Sequence, residues 1–348
     1  MEMAALYLAR RIGPGYYLQA RWGRAAVPFA DKWNHVNRGE YLRLIHRLNP
    51  RDYQKVSQHK LVEKAVMQAQ GLPTAKALGF VHALRGRQPN GAPLCSAQHL
   101  AAALAGHHGR RVCFKHVEGY GGFGFASYQI EFQGSDCWLR KREGEAAISV
   151  TQWWAEHGAD AEGFLLEEHL PQHPALAGLN ASSVNTVRMW TVSTPQGWKT
   201  IGAYLRVGRQ GAQVDNNASG GIACPVDVVT GRVTDAFLPA SPRQPVPCHP
   251  DSGAPLLGFQ VPDWALALQR AGEAVAAFPH MHIAGLDMAF TPDGPALIEL
   301  NVCPDYIGCA WMDLPLRSRL ADLAVSLQAV HGEHETVADR LLRKQTPW

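Results

Sequence analysis

The segment Gly285-Leu-Asp-Met-Ala-Phe-Thr-Pro-Asp-Gly-Pro-Ala-Leu-Ile-Glu-Leu-Asn301 constrains this chain more than any other. Two apolar runs of strand length flank Pro292-Asp293-Gly294, a triplet suited to a three-residue hairpin loop with glycine at the left-handed position. If Thr291 faces Pro295, every opposed pair sums to the same number, and Asp287 falls opposite Glu299 on one face. Asn301, two residues beyond Glu299, points to that face as well. Carboxylates facing each other across a ladder repel, so the arrangement calls for a cation between them, and oxygen ligands favour a hard one such as magnesium. The plainer alternative is a solvated hairpin whose charges happen to align.

A second constellation lies upstream. Residues 111 to 117 alternate like a half-buried strand and run into Glu118-Gly-Tyr-Gly-Gly-Phe-Gly124. Glycines at 119, 121, 122 and 124 let the backbone approach a phosphate closely, and Lys115 on the strand delivers a fixed cation. No Gly-Lys-Ser/Thr closes the loop, so it is not a P-loop. Taken alone, the segment also reads as a glycine-rich turn with no ligand.

Around these motifs the pattern is α+β, with antiparallel sheets flanked by helices. Leu61, Ala65 and Ala69 with Val62 and Val66 form a helical stripe that Ser57 is placed to cap and that Gly71 and Pro73 stop, and Lys60 and Lys64 share its polar face. Further helices are expected near 95 to 106, 151 to 157, 263 to 278 and 315 to 331. Strands are expected near 126 to 132, 136 to 142, 164 to 170, 184 to 193, 199 to 208 and 221 to 229. Residues 1 to about 56 are mixed and Arg-rich and allow only short helices.

A chain of 348 residues with 46% hydrophobic content buries more than one ordinary core, so two or three closely packed units are expected. The net charge of +3 is too small and dispersed to imply a nucleic-acid or membrane partner. The first residues meet charge too soon for a signal-peptide core, and no segment approaches the roughly 18 apolar residues of a membrane span. Seven cysteines without a CxxC pair suit reduced thiols. The expectation is a cytoplasmic protein in which the sequons at Asn180 and Asn217 have no meaning. His107-His108, His280, His282, Cys303, Cys309 and Trp153-Trp154 read as packing.

The order of these motifs resembles the ATP-grasp superfamily and is similar to that of the ligases that join two D-alanines. Ser57 to Lys64, followed by Gly71-Leu72-Pro73, looks like the helix that carries their first ATP-binding lysine, with Lys64 in that role by position. Lys115, with Gly121 and Gly122 of the loop that follows, looks like the second lysine and the mobile phosphate-covering lid, although His116 stands where proline is usual. Leu166-Glu167-Glu168-His169-Leu170 resembles the interlobe hinge that meets adenine through backbone groups. Asp287, Glu299 and Asn301 match the magnesium ligands. Two positions depart: Pro174 stands where an acidic residue binds ribose, and Gly285 where an arginine precedes the first metal ligand.

More narrowly, Ser182-Ser-Val-Asn-Thr-Val-Arg188, Arg206-Val-Gly-Arg209, Val214-Asp-Asn-Asn217 and His249-Pro-Asp-Ser-Gly253 resemble the sugar-transfer-associated branch. Arg188 and Arg206 are candidates for neutralising a transferred phosphoryl group or acyl phosphate, the alternative being surface salt bridges. The resemblance implies a mostly helical region at 1–75, a lobe with the lid at 76–170, and a lobe with the metal site and a C-terminal helix at 171–348. It implies ATP and Mg2+ as cofactors. The implied reaction joins a small-molecule carboxylate to an amine (amino acid, peptide or amino sugar) through an acyl phosphate, releasing ADP and phosphate. The alternatives are a kinase acting on a hydroxyl and a nucleotide-binding protein without turnover.

Overall fold

The computed structural model describes residues 1–331 other than 24–26, 120, 217, 218, 241 and 279. Tyr120 of the glycine-rich loop, the Asn217 sequon and residues 332–348 of the expected second lobe therefore lie outside the described residues.

The N-terminal region is a run of short helices: α1 (Glu2–Arg10), α2 (Pro14–Gln19), α3 (Phe29–Trp33), α4 (Arg38–Leu48), α5 (Arg51–Gln58) and α6 (Lys60–Ala69). A capping box starts α4, with Asn37 and Glu40 satisfying each other's backbone amides. The stripe expected from Ser57 onward is broken at His59, whose extended backbone separates α5 from α6. Ser57 is not a cap; it sits in the last turn of α5 and donates to the Gln54 carbonyl at 3.4 Å. The break has a tertiary cause: the Lys60 amide donates to the Val117 carbonyl at 2.9 Å, docking the start of α6 on the root of the glycine loop.

The first sheet contains β1 (Ala77–Val81), β2 (Arg111–His116), β3 (Phe125–Gln133), β4 (Asp136–Arg140), β5 (Ile148–Ser149) and β6 (Phe164–Glu168), antiparallel in the order β1-β6-β2-β3-β4-β5. Helices α7 (Ala97–Leu104) and α8 (Val150–His157) cover one face around Leu100, Phe114, Trp153 and Leu166. Trp153 packs at 4.5 Å from Phe114, as its place on the apolar side of a helix demands.

The second sheet contains β7 (Thr186–Thr194), β8 (Gly197–Val207), β9 (Ile222–Val226), β10 (Phe237–Leu238), β11 (Gln244–Pro245), β12 (Ile283–Thr291) and β13 (Gly294–Asn301). Its order is β11-β10-β9-β8-β7-β12-β13. Between β6 and β7 lies the single turn α9 (Pro174–Ala177), and α10 (Trp264–Ala277) packs on the sheet through Ala267, Ala271, Ala274 and Val275. The N-terminal helices, α11 (Ile307–Trp311) and α12 (Arg317–His331) share a separate core in which Leu6, Trp22, Tyr41 and Ile45 meet Trp190, Ile283 and Leu320. Every residue of β12 is buried, so its largely apolar run, broken by Asp287, reflects cover on both faces. Asn49 fixes the N-terminal region to this sheet, donating to the carbonyls of Ile283 (2.7 Å) and Val302 (2.6 Å).

The hairpin β12–β13 reaches the expected result by a different route. Thr291 pairs with Gly294, not Pro295, so the loop is the two residues Pro292-Asp293. The Thr291 hydroxyl ties it, donating to the Gly294 carbonyl (2.9 Å) and accepting from the Asp293 amide (3.1 Å). The ladder then slips by one between Met288 and Asp287, leaving Ile298 as a bulge and setting Asp287 opposite Glu299. Among the described residues no helix is long and apolar enough to cross a membrane.

Candidate active site

A cavity of about 250 Å³ lies between the two sheets. The glycine loop, the end of β6 and the inward residues of β7, β8, β12 and β13 line it. Of the residues singled out above, Lys115, Gly121, Gly122, Glu167, Glu168, His169, Leu170, Arg188, Arg206, Asp287, Glu299 and Asn301 all reach this cavity.

Lys64 does not line it. Only 4% exposed, its ammonium lies 2.8 Å from Glu167 Oε2 and donates to Thr74 Oγ1 (2.6 Å) and the Ala75 carbonyl (3.1 Å). Lys60, one turn earlier on α6, lines the cavity and pairs with Glu299 at 3.1 Å. Lys115 meets the other oxygen of Glu167, so the two lysines converge on one carboxylate that is itself 2% exposed. Glu167 and Lys115 share a sheet face because they sit on the adjacent strands β6 and β2, where Cys113 pairs with Glu167 and Lys115 with Leu165.

Burial lowers the Lys64 pKa against the pull of Glu167. In Lys115 burial works the same way, but the Glu167 carboxylate overcomes it and raises the value. Burial tends to raise the Glu167 pKa, and the attraction of Lys115 and Lys64 prevails and lowers it.

At the end of β6, where the hinge is expected, the amides of Glu168 and His169 donate to the carbonyls of Lys76 (2.9 Å) and Arg111 (3.2 Å), so these two donors are spent on neighbouring backbone. Burial, then Arg111 and Lys115, push the His169 pKa down to about 4, which keeps the ring neutral. The loop at the other wall depends on its glycines: Gly121, Gly122 and Gly124 have φ of 57°, 83° and 71°. A Cβ on Gly124 would lie 2.4 Å from the His116 Cβ. Asn216 donates to the Gly121 carbonyl at 2.7 Å and ties the loop to the segment between β8 and β9.

At the far end Asp287 receives two guanidiniums. Arg188 meets it in a two-pronged pair, and Arg206 Nη2 lies 2.8 Å from Oδ2. Burial would raise the Asp287 pKa, but Arg188 and then Arg206 hold it at about 2. Arg206 is held from behind by Thr186 Oγ1 (3.0 Å from Nε) and by Asp215 (3.5 Å), whose carboxylate accepts from the Thr186 amide at 2.8 Å and hydroxyl at 2.6 Å. A Cβ at Gly285 would stand 2.9 Å from Pro304 Cβ and Cγ and 3.2 Å from Arg188 Cδ, so glycine there leaves room first for Pro304 and then for the arginine. A guanidinium thus reaches the first expected metal ligand from β7 instead of from position 285.

The oxygen donors fit magnesium in kind. Asp287 and Glu299 are ladder partners, and Asn301 commits its amide nitrogen to the Gly285 carbonyl (3.1 Å), which leaves the side-chain oxygen for a ligand. Arginine and lysine now neutralise the two carboxylates, and a bound ion would exchange with them. Among the described residues no group of three or more His, Cys, Asp and Glu side chains is placed to hold a metal ion. Behind it, the buried Glu63 accepts from the Leu300 amide at 2.5 Å, and burial followed by the charge of Glu299 pushes its pKa up to about 8.

Sequence reasoning missed Lys60, Glu63, Asp215 and the Glu167 side chain as parts of this site. Lys60 and Lys64 share a helix face, and only the docking of α6 distinguishes them. Asp215 stands in a motif noted above, but its partners Thr186 and Arg206 lie on other strands.

No curated protein matches the chain. Similar solved structures include the D-alanine-D-alanine ligase from Coxiella burnetii, at 11% identity and TM-score 0.41, covering 83% of this chain and 60% of that one. Biotin carboxylase from Campylobacter jejuni is 11% identical with a TM-score of 0.44, covering 80% of this chain and 48% of that one. An L-amino acid ligase from Bacillus licheniformis is 11% identical with a TM-score of 0.40, over 76% and 48% of the two chains. The chain spans about half the length of the N5-carboxyaminoimidazole ribonucleotide synthetases it also matches, 47% of one of them. Likenesses this distant assign no activity. The family model described as sugar-transfer associated ATP-grasp matches residues 40–322, which include both sheets and every residue of the cavity. The chain belongs to the sugar-transfer associated ATP-grasp family.

Proposed function

We propose that the protein is an ATP-dependent carboxylate-amine ligase that forms an amide through an acyl phosphate, with lobes divided near residue 170. The observation that supports this most is the gathering of Lys60, Lys115, Arg188 and Arg206 with Asp287, Glu299 and Asn301 in one cavity under a glycine loop. Cations there would spread the charge of a transferred phosphoryl group, and positioning supplies most of what phosphoryl transfer needs.

In this reading the base lies against the hinge, from Glu168 to Leu170, and the phosphates lie beneath Gly121 and Gly122. Glu167 holds Lys115 at the phosphate end, and Asp215 with Thr186 holds Arg206. Asp287, Glu299 and Asn301 would hold magnesium, which when bound neutralises phosphate charge. A substrate carboxylate oxygen attacks the γ-phosphorus and ADP leaves. The neutral amine then attacks the acyl carbon, the carbon–oxygen bond to phosphate breaks, and the amine sheds a proton as the amide forms. The cavity is smaller than the roughly 300 to 1,000 Å³ usual for such sites, so the loop must lift off Asn216 to admit a nucleotide and then close against water.

The test is incubation with ATP and pools of amino acids, short peptides and amino sugars, using carboxylate-oxygen-18 substrate. The expected products are ADP, an amide, and phosphate carrying one labelled oxygen. AMP with pyrophosphate, or ADP with a stable phosphorylated product, would overturn the reading.

A further inference from the structure

A second cavity of about 340 Å³ opens beside the first, between the α5–α6 break, the root of the glycine loop and the end of β13. Its volume lies in the usual range for small-molecule sites, roughly 300 to 1,000 Å³. It shares Lys60, Gly119, Glu299 and Asn301 with the interlobe cavity, so the two meet where the phosphate end and the metal-binding oxygens are placed. We propose that this second cavity is the subsite for the carboxylate donor and that the donor is a free amino acid, an inference that rests on the ligase reading above.

The charged lining is two ammoniums and two carboxylates joined as two ion pairs. Lys60 meets Glu299 on the shared wall, and Lys55 meets Glu118 at the outer side, where Lys55 is 61% exposed. The break at His59 creates this arrangement, because it lets α5 and α6 each present a lysine to one space. With two positive and two negative groups, the lining carries no net charge.

A zwitterion exchanges with both pairs and leaves every charge matched. A plain carboxylate engages Lys60 alone and a plain amine engages Glu118 alone, so only a zwitterion exchanges with both pairs at once. The direction of binding follows from Lys60, which is only 13% exposed on its side chain. If Glu299 turns to a metal ion, the Lys60 ammonium loses its partner on the wall shared with the phosphate end. A substrate carboxylate placed there restores the pair and lies beside the phosphates. The ammonium of the same molecule then faces Glu118, and Lys55 moves out to solvent.

The experiment is calorimetric titration of the full chain, with MgADP and without nucleotide, against each of the twenty common amino acids. The N-acetyl and amide forms of any that bind are tested alongside. At least one free amino acid should bind, and blocking either end should weaken it tenfold or more. Glu118→Gln should weaken the same ligand at least fivefold. Binding of no free amino acid, equal binding of the blocked forms, or undiminished binding to Glu118→Gln would overturn the proposal. Failure of the ligase reading looks different: an amino acid that binds here without yielding ADP sinks that reading and leaves the subsite standing. Amide formation indifferent to Glu118→Gln does the reverse.

Discussion

Arg188 on β7 and Asp287 on β12 are direct ladder partners, and their side chains form a buried two-pronged ion pair that Arg206 joins from β8 at 2.8 Å. Three charges on three adjacent strands hold one another in place of solvent. Arg188→Met should destabilise the protein by about 3 kcal/mol, the low end for breaking a buried pair, because Arg206 remains beside Asp287. In urea unfolding, the Arg188→Met, Asp287→Asn double variant should lose less than the sum of the singles by about 1 kcal/mol or more. Additive losses would show that the pair is not coupled.

Glu167 predicts an acid limb in stability. Its folded pKa lies below the unfolded value of about 4.3. A carboxyl with a depressed folded pKa contributes its full stability above the unfolded value and loses it as pH falls through the folded one. Stability should therefore decline as pH drops below about 4.3, and Glu167→Gln should flatten that part of the curve while lowering stability near neutrality, since two buried ammoniums lose their partner. Unfolding midpoints between pH 2 and pH 7 for both proteins check this.

Glu299→Gln keeps the shape of the side chain and removes its charge. Nucleotide-dependent turnover should fall by at least ~10²-fold, as expected when one preorganised charge is lost from such a site. Circular dichroism should show an unchanged fold, because Glu299 is partly exposed and contributes no core packing. Undiminished turnover would remove Glu299 from the site.

The glycine loop offers a contrast between two neighbours. Both Gly121 and Gly124 have positive φ, but a Cβ at Gly121 meets nothing within 4 Å, whereas one at Gly124 would lie 2.4 Å from His116 Cβ. Gly121→Ala should cost only the left-handed strain, about 1 to 2 kcal/mol. Gly124→Ala should also displace the loop root, and so weaken nucleotide binding more than Gly121→Ala does. Titration with a non-hydrolysable ATP analogue measures the difference, and equal effects would refute it.

By itself the sequence determined the parts that depend on residues a few positions apart. Alternation and turn chemistry placed the hairpin, glycine spacing placed the loop, and the order of motifs placed the chain among ATP-grasp proteins. Even there the route differed, since Asp287 reaches Glu299 through a bulge at Ile298. The bulge follows from contacts outside the hairpin: the Leu297 amide donates to the Pro73 carbonyl at 2.7 Å, and Thr74 pairs alongside Leu297. Only the tertiary structure decided which charge meets which. Lys60 and Glu299 are 239 residues apart, and Arg188 and Asp287 are 99 apart. Lys64 is turned to Glu167 while Lys60, on the same helix face, is turned to the cavity. Coulomb attraction acts through space, so its pairings follow sheet order and helix docking, which no local pattern of side chains encodes.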